Sequence, residues 1–478
     1  MSPKRSRDFK KISGVDSDFW IVVGLFLIFA VLYSLLAVIR HNHFQSQGID
    51  FSIYDQALWL YSKFQSPFST VTSLYDLADR FRPIMLPLSA LYWFTGNERV
   101  ILVFQAVILT AAVFPIWLLA RRVLPRVLAL VICFAYLNFV GIQSVNVYDF
   151  HETSVLPFLL AWLFLFLERR QWKSYFTVLI LCLMVRENVG FLILTIGIYI
   201  FWRWRNIRLA LLTSVISLIW SLAAIGIIMP ALGQSHYGSF VSSGDTLSGA
   251  VSVYVKNPFL IFVNFFFPLE KASTVFGSFL SFGFVPLAFL PLLPAIIFQL
   301  AARFLDQLHP IRWTLYYHYG AELGVLATVS TIFGAKMLLA RFPKRNMRAI
   351  IIALIIFGQT MSFLLLHVPL KNLLKKDFYQ DEPWTGDTRK ILALVPKDAS
   401  VAGQNNLLPH LSHRKLIYLL PRVNGADYII FDLHPGQDNW DFYTGNLQTA
   451  TSQLRGLVDL NTYKLIAASG DVFLLKKI

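Results

Sequence analysis

Charged residues are scarce in this chain. Only 14% of its 478 residues are Asp, Glu, Lys or Arg, whereas a soluble protein usually has about 25%. Hydrophobic residues make up 56% of the chain and 42 residues are Phe, and the mean hydropathy is +0.58. Such a composition suits a surface that faces lipid, and it excludes a large soluble protein.

Cysteine is almost absent as well. The two cysteines, Cys133 and Cys182, both lie inside apolar runs. Their number and position exclude a structural disulfide framework and a cysteine-based metal site.

Acidic residues are fewer than basic ones, which leaves a net charge of +15. The basic residues do not form a stripe interleaved with aromatic side chains, so nucleic-acid binding is not indicated. They precede the first apolar run, from Lys4 to Lys11, or cluster in short gaps such as Arg121–Arg126 and Arg203–Arg208. This is the distribution that orients membrane proteins, with Lys and Arg on the cytoplasmic side.

The apolar runs predict an α-helical protein that crosses the membrane about eleven times. Residues 19–39 are long enough to span, and no cleavage site follows them, so we interpret them as a retained first helix. The candidate spans are residues 19–39, 98–120, 125–147, 154–167, 174–186, 189–202, 208–230, 253–269, 273–293, 318–341 and 347–367.

Three regions depart from simple helix hairpins. The first outside loop covers residues 40–97, and its apolar stretches Ile53–Tyr61 and Ile84–Phe94 could lie in the membrane interface as amphipathic helices. In residues 174–202, two short apolar runs flank Arg186–Glu187–Asn188 and are expected to meet near or within the outer leaflet. In residues 286–318, Pro286, Pro291 and Pro294 are expected to break the helix and leave irregular backbone, which is tolerated where it lines a cavity.

From about residue 370 the composition changes. We divide the chain into a transmembrane domain, residues 1–369, and an extracytoplasmic α/β domain, residues 370–478, because short strand-like and helical segments alternate there. This segment has no G-x-G-x-x-G or Walker motif. The predicted strands are Ser400–Ala402, Leu416–Leu420, Tyr428–Leu433, Lys464–Ala467 and Val472–Leu475.

Ionisable residues gather on the predicted outside face. They are rare in membrane proteins and tend to mark sites. Carboxylates can serve as bases or metal ligands, and arginines suit phosphate. The candidate residues are Asp50, Asp55, Gln56, Asp79, Arg82, Asp149, His151, Glu152, Arg186, Glu187, Arg303, Arg312 and His318.

Each group also has a structural interpretation. Asp50 and Asp55 could be solvated loop residues, and Asp149 to Glu152 could be a polar turn that caps a helix. Arg186 and Glu187 could be an ion pair, and Arg303 and Arg312 could be interface anchors. The hypothesis of a site rests on the coincidence of these clusters on one face.

Several motifs resemble those of a family of bacterial and archaeal membrane proteins of unknown function. They include Asp50-x-x-Ile-Tyr-Asp-Gln, Asp79-x-Phe-x-Pro-Ile, Asp149-Phe-His, Arg186-Glu-Asn-Val-Gly and Tyr317-His-Tyr. C-terminal motifs such as Leu408-Pro-His-Leu-Ser extend the resemblance over about residues 45–435. Two positions depart: Arg80 replaces the usual His, and Arg186-Glu187-Asn188 replaces Lys-Glu-Asp.

That family is similar to a distant branch of the GT-C glycosyltransferases. The resemblance implies a polyprenyl-phosphate-linked sugar as donor, an unidentified acceptor and a catalytic Asp in the first outside loop. Asp50 matches that position best and Asp55 is second. One or more of Arg82, Arg186 and Arg303 would hold the lipid phosphate. Alternatively, a divalent cation, Mg²⁺ or Mn²⁺, would stabilise the charge that develops on the phosphate, and Asp50 is a candidate ligand for it.

The sequence therefore leaves two classes of function open. One is a glycosyltransferase that moves a sugar from its lipid carrier to an acceptor on the outer face of the cell membrane. The other is a non-enzymatic membrane protein, either a transporter or an assembly factor for envelope glycans. The absence of an internal repeat favours the first, since transporters usually have one.

The topology is testable. An odd number of spans from a cytoplasmic N-terminus places residues from about 370 outside. We expect residue 430 to be protected from protease or thiol reagent applied at the cytoplasmic face. Access to residue 430 from that face would refute the topology.

Overall fold

The membrane domain is built from long apolar helices. In the computed structural model, residues 17–233 and 247–478 are described, so the basic N-terminal residues Lys4 to Lys11 lie outside them. Among the described residues, six helices are long and apolar enough to cross a membrane, and one bent pair would make a seventh. The six are Ser17–Asn42, Arg99–Arg121, Arg126–Val147, Ile207–Ala231, Pro310–Arg341 and Met347–Leu365.

Shorter helices fill the remaining apolar runs. The bent pair is Phe259–Phe266 and Glu270–Leu280, which meet at 69°, and Leu247–Lys256 precedes it. The others are Leu156–Arg169, Trp172–Leu183, Val189–Trp204 and Leu293–Phe304. The protein is therefore a multi-pass membrane protein, as the sequence predicted, and the count of eleven spans stays a prediction.

An ion-pair cluster joins the first three spans at one end. Asp18, in the first turn of the first helix, pairs with Arg121 at 3.0 Å and also with Arg126. A carboxylate in a first helical turn is additionally favoured by the positive end of the helix dipole. The pair explains how an acidic residue can lie buried beside the membrane.

The proline-rich segment interrupts the helices, as expected. The preceding helix ends at Leu280, and two short 3₁₀ turns, Val285–Ala288 and Leu290–Leu292, lead into the helix Leu293–Phe304. Pro294 stands in the first turn of that helix, where no backbone N–H is needed. Arg303 itself lies on the last turn of Leu293–Phe304.

One helix of the first loop is packed inside the protein. This helix, Ile53–Ser62, buries eight of its ten residues, so the prediction that it lies on the membrane interface was wrong. Met85–Leu88 and Ser89–Trp93 form the second short helical stretch. The strands β1 (Phe68–Ser69) and β2 (Leu74–Tyr75) form a small antiparallel hairpin between the two.

The C-terminal domain contains a five-stranded sheet in the order β4-β3-β5-β7-β6. The predicted α/β character is confirmed, while the boundary at residue 370 stays a prediction. Strand β3 pairs with β4 and β5 in parallel, and β7 pairs with β5 and β6 antiparallel. The strands are β3 (Val401–Gly403), β4 (Ile417–Leu419), β5 (Tyr428–Asp432), β6 (Tyr463–Ser469) and β7 (Val472–Lys477), with the helices Thr385–Leu392 and Leu447–Asp459.

The first loop and the C-terminal domain share one packed interface. Gly48 N donates to the backbone oxygen of Asn405 at 2.5 Å, and Ile49 N donates to the side-chain oxygen of Asn405 at 2.9 Å. A Cβ on Gly48 would lie 2.9 Å from Cβ of Leu408, so only glycine permits this approach. Phe44, like Ile53, belongs to the same hydrophobic cluster as Leu408.

Candidate functional site

A cavity of about 500 Å³ lies between the helices Val189–Trp204 and Leu293–Phe304 and the segment 310–322. One part of its wall is apolar and includes Phe191, Leu192 and Phe298. The other part is polar and includes Arg80, Arg186, Glu187, Arg303, Asp306, Arg312, His318 and Glu322. The cavity therefore suits a molecule with one apolar and one anionic part.

Arg303 is the least satisfied cation in this wall. Its side chain comes from the last turn of Leu293–Phe304, and the residue is only 4% exposed. Nη1 donates to the backbone oxygen of Tyr319 at 3.3 Å, but Nε and Nη2 are buried and have no hydrogen-bond partner among the described residues. In the same part of the chain, no carboxylate lies within ion-pair distance of Arg303.

Two neighbouring arginines are already paired. Arg186 Nε donates to Glu152 at 2.5 Å, and Arg312 Nη1 donates to Asp306 at 2.5 Å. Burial would raise the pKa of Glu152, but Arg186 and Arg82 outweigh burial and lower that pKa to about 2. Glu152 is thus ionised at neutral pH, and the charge of Arg186 is largely compensated.

Asp50 lies beside the cavity and not in its wall. It belongs to a π-helical turn, Gly48–Ser52, just before the helix Ile53–Ser62. Tyr148 donates its hydroxyl to Asp50 Oδ2 at 2.8 Å, and Asp50 Oδ1 lies 3.6 Å from His151 Nε2. The Asp50 side chain keeps 20% exposure, so one face of the carboxylate remains accessible.

Two stacked imidazoles connect Asp50 to the cavity. The rings of His151 and His318 are 3.7 Å apart and nearly parallel, at 15°. His318 lines the cavity, and His151 is the neighbour of Asp50. Eight of the candidate residues thus form one contiguous region, although their roles stay predictions. They are Asp50, His151, Glu152, Arg186, Glu187, Arg303, Arg312 and His318.

Asp55 is committed to a structural contact. It accepts hydrogen bonds from the hydroxyls of Tyr92 and Ser412, and His413 Nε2 lies 3.2 Å from Asp55 Oδ2. Asp55 is fully buried. Asp55 therefore contacts the C-terminal domain and does not line the cavity, and its expected support of Asp50 stays a prediction.

Gln56 has a similar structural position. Its amide Nε2 donates to Thr70 Oγ1 at 3.2 Å and to the backbone oxygens of Arg414 and Lys415 at 3.2 and 3.1 Å. Gln56 does not line the cavity, and its expected role in binding substrate stays a prediction. Its donors hold the first loop on the C-terminal domain.

Three further candidates lie outside the cavity wall. Arg82 is buried in an ion pair with Asp76 at 2.6 Å, and Asp79 lies 3.5 Å from the same guanidinium. Asp149 accepts from Arg40 at 2.9 Å and from the backbone N–H of Gln47 at 2.9 Å. These contacts engage the three side chains without a ligand, and their expected roles in binding substrate stay predictions.

The surroundings of Asp50 do not fit a Mg²⁺ or Mn²⁺ site. Such ions prefer several oxygen ligands, usually with more than one carboxylate or carbonyl. Within the described ranges, Asp50 belongs to no group of three or more His, Cys, Asp or Glu donors, and Tyr148 already occupies one of its oxygens. The donors around Asp50 therefore do not fit a metal-dependent step at this residue.

Sequence reasoning missed three residues of this region. Tyr148 touches Asp50, while Tyr319 and Glu322 line the cavity. Tyr148 directly precedes Asp149, and Tyr319 ends the Tyr317-His-Tyr motif, so the motifs contained the signal. Glu322 stands in an otherwise apolar span, which is the setting in which an acidic residue is informative.

A family model described as "Predicted membrane protein (DUF2079)" matches residues 40–451. The chain belongs to this family. No curated protein matches the chain. The match confirms the resemblance drawn from the motifs.

A solved structure shares the fold of this chain at low sequence identity. ArnT from Cupriavidus metallidurans bound to undecaprenyl phosphate is 13% identical, with a TM-score of 0.54 over 97% of this chain and 98% of that chain. The Archaeoglobus fulgidus oligosaccharyltransferase in the apo form is 12% identical, with a TM-score of 0.41 over 87% of this chain and 70% of that chain. At these identities the likeness concerns the fold alone. The likeness to ArnT confirms the expected GT-C-like architecture.

The contact between Asp55 and His413 predicts a pH dependence. Burial alone would lower the pKa of His413, but Asp55, with a smaller effect of Glu98, raises it. A raised pKa means that the pair stabilises the fold fully below about pH 6.5 and loses this effect as the pH rises through the pKa of the folded state.

We therefore expect the thermal midpoint of the purified protein to fall between about pH 6 and pH 9. His413→Gln keeps a donor but removes the titration, so its midpoint should fall less over the same range. An equal fall in both proteins would contradict the assignment.

Proposed function

We propose that this protein is an inverting membrane glycosyltransferase whose donor is a sugar on a polyprenyl phosphate. In this proposal the N-terminus is cytoplasmic, the C-terminal domain is extracytoplasmic, and transfer occurs on that outer face. The observation that carries the proposal is the buried guanidinium of Arg303, whose Nε and Nη2 lack partners at the wall of a large cavity.

The cavity has the chemistry that a lipid phosphate requires. A buried polar group without a hydrogen bond is costly, and a buried charge is more so unless it is paired. A phosphate oxygen would satisfy the two donors of Arg303, since guanidinium matches phosphate in a bidentate geometry. The apolar wall with Phe191, Leu192 and Phe298 would receive the first part of the lipid chain.

The fold supports the same substrate class. The structure of ArnT, which shares this fold, is described as bound to undecaprenyl phosphate. A lipid carrier of that kind would reach the cavity from the bilayer that surrounds the helices. The likeness supports the class of donor, while the sugar and the acceptor remain to be identified.

We assign Asp50 as the catalytic base. Its carboxylate would take the proton from an acceptor hydroxyl or amine as that atom attacks the anomeric carbon of the sugar. The bond from this carbon to the phosphate oxygen breaks, and the polyprenyl phosphate leaves as an anion. Arg303 would stabilise the negative charge that develops on the leaving phosphate.

His151 and Tyr148 would position the base. Tyr148 holds Asp50 Oδ2 at 2.8 Å, which leaves Oδ1 for the acceptor. His151 lies 3.6 Å from Oδ1, and its ring is fixed by stacking on His318. The histidine pair thus connects the base with the wall that would bind the sugar phosphate.

Replacement of Arg303 tests the binding site. Arg303→Gln retains size and hydrogen bonding but removes the charge, so the affinity for undecaprenyl phosphate should fall about 10- to 100-fold. Binding can be measured by titration of the purified protein in detergent. The control is Arg208→Gln, which removes an exposed arginine remote from the cavity wall; equal affinities in the Arg303 variant and the unaltered protein would refute the site.

Replacement of Asp50 tests the chemistry. Asp50→Asn keeps the size and removes the charge, so transfer from a lipid-linked sugar should fall by about 10²–10⁴-fold. Membrane insertion and binding of the lipid phosphate should stay normal, since Asp50 is not part of the cavity wall. Transfer at the unaltered rate would contradict the assignment.

A wider failure would point to the other class of function. If the unaltered protein binds undecaprenyl phosphate but turns over no lipid-linked sugar, the enzyme class loses its support. The transporter or envelope-assembly hypothesis would then lead.

A further inference from the structure

A second cluster of ligand atoms lies apart from the cavity wall, where the first loop meets the C-terminal domain. It consists of His41 near the end of Ser17–Asn42, Glu98 just before Arg99–Ala111, and His410 between strands β3 and β4. One ligand atom of each residue lies within 4.8 Å of the other two, and His41 Nε2 is 3.5 Å from Glu98 Oε1. His410 follows the other two residues by more than 300 positions, and the fold brings the three metal-type donors to one point.

Both imidazoles present an unsatisfied nitrogen. His41 Nε2 and His410 Nε2 are buried and make no hydrogen bond within the described residues. The two rings are 4.3 Å apart and tilted by 37°. Because buried polar atoms are nearly always hydrogen-bonded, two such nitrogens beside one carboxylate require an explanation.

The surroundings orient these nitrogens. His41 Nδ1 lies 3.0 Å from Ser46 Oγ, a buried contact that leaves Nε2 as the free ligand atom. An outer-shell hydrogen bond of this kind is what fixes the ring of a metal-bound histidine.

One cation stands close to the cluster. Arg99 Nη1 donates to Glu98 Oε1 at 2.6 Å, so a metal ion would share this carboxylate with Arg99. Arg99 is also held independently, because its Nε donates to Asn42 Oδ1 at 2.7 Å. A carboxylate has a second oxygen, and Arg99 keeps a partner even if the metal takes Oε1.

We propose that His41, Glu98 and His410 bind a divalent transition-metal ion of the Zn²⁺ type. Two imidazoles and one carboxylate form a common donor set for Zn²⁺, with water or another group as the fourth ligand. The ion would clamp the first span, the second span and the C-terminal domain together. The His41 ring also packs 5.0 Å from the ring of Phe51, the neighbour of Asp50, so the clamp would fix the turn that carries Asp50.

The metal content of the purified full-length protein tests this proposal. The protein is prepared with a tag that contains no histidine, dialysed with Zn²⁺, washed free of excess and measured by elemental analysis. We expect about one ion per chain, and its loss in His410→Ala and in Glu98→Gln. His43→Ala is the matched control, because His43 is two residues from His41 but points to Asp381 at 3.5 Å.

A second measurement separates loss of the site from loss of the fold. Ser46→Ala leaves all three ligands in place and removes only the contact to His41, so Zn²⁺ affinity should fall about 10- to 100-fold. Chelation should lower the thermal midpoint of the unaltered protein, and it should have no effect on His410→Ala. The proposal is overturned if the unaltered protein retains no Zn²⁺, or if His410→Ala and Glu98→Gln retain as much as His43→Ala. It does not depend on sugar transfer, and its failure would leave the proposed function untouched.

Discussion

The requirement that a charge removed from water must find a partner organises the polar half of this protein. Four buried or half-buried arginines form an ion pair with a carboxylate. The pairs are Arg186 with Glu152, Arg82 with Asp76, Arg40 with Asp149, and Arg312 with Asp306. In each of these pairs the opposite charges lie within 2.9 Å of each other. Arg303 is buried with two open donors and no carboxylate partner in the part of the chain that the structure describes. The same rule that explains the pairs thus identifies the position where an anion would be stabilised.

The C-terminal domain shapes the region beside the cavity. The domain holds the first loop by hydrogen bonds at two places. Asn405 accepts from the backbone of Gly48 and Ile49. Ser412 donates to Asp55, and the backbone oxygen of Arg414 accepts from Gln56. The turn that carries Asp50 lies between these anchor points. The distance from Asp50 to His151 therefore depends on the docking of a domain that follows it by more than 350 residues. This coupling explains why so many polar residues of the loop are structural.

The local periodicity of the sequence predicted most of the architecture. The apolar runs located the helices, and the short alternating segments after residue 370 located the five strands of the C-terminal sheet to within a few residues. The clusters around His151, Arg186 and Arg303 were also found, because ionisable residues are conspicuous in an apolar chain. Asp55 could not be separated from Asp50, since its partners Ser412 and His413 come from the far end of the sequence. His410 was not singled out for the same reason, because its neighbours His41 and Glu98 meet it only through tertiary contacts.

The central claim is that the open donors of Arg303 receive the phosphate of a polyprenyl carrier. An experimental structure of the protein with undecaprenyl phosphate tests it most directly. We expect phosphate density within about 3 Å of Arg303 Nε and Nη2, with the lipid chain along Phe191, Leu192 and Phe298. Phosphate density elsewhere, with the guanidinium of Arg303 unoccupied, would contradict it.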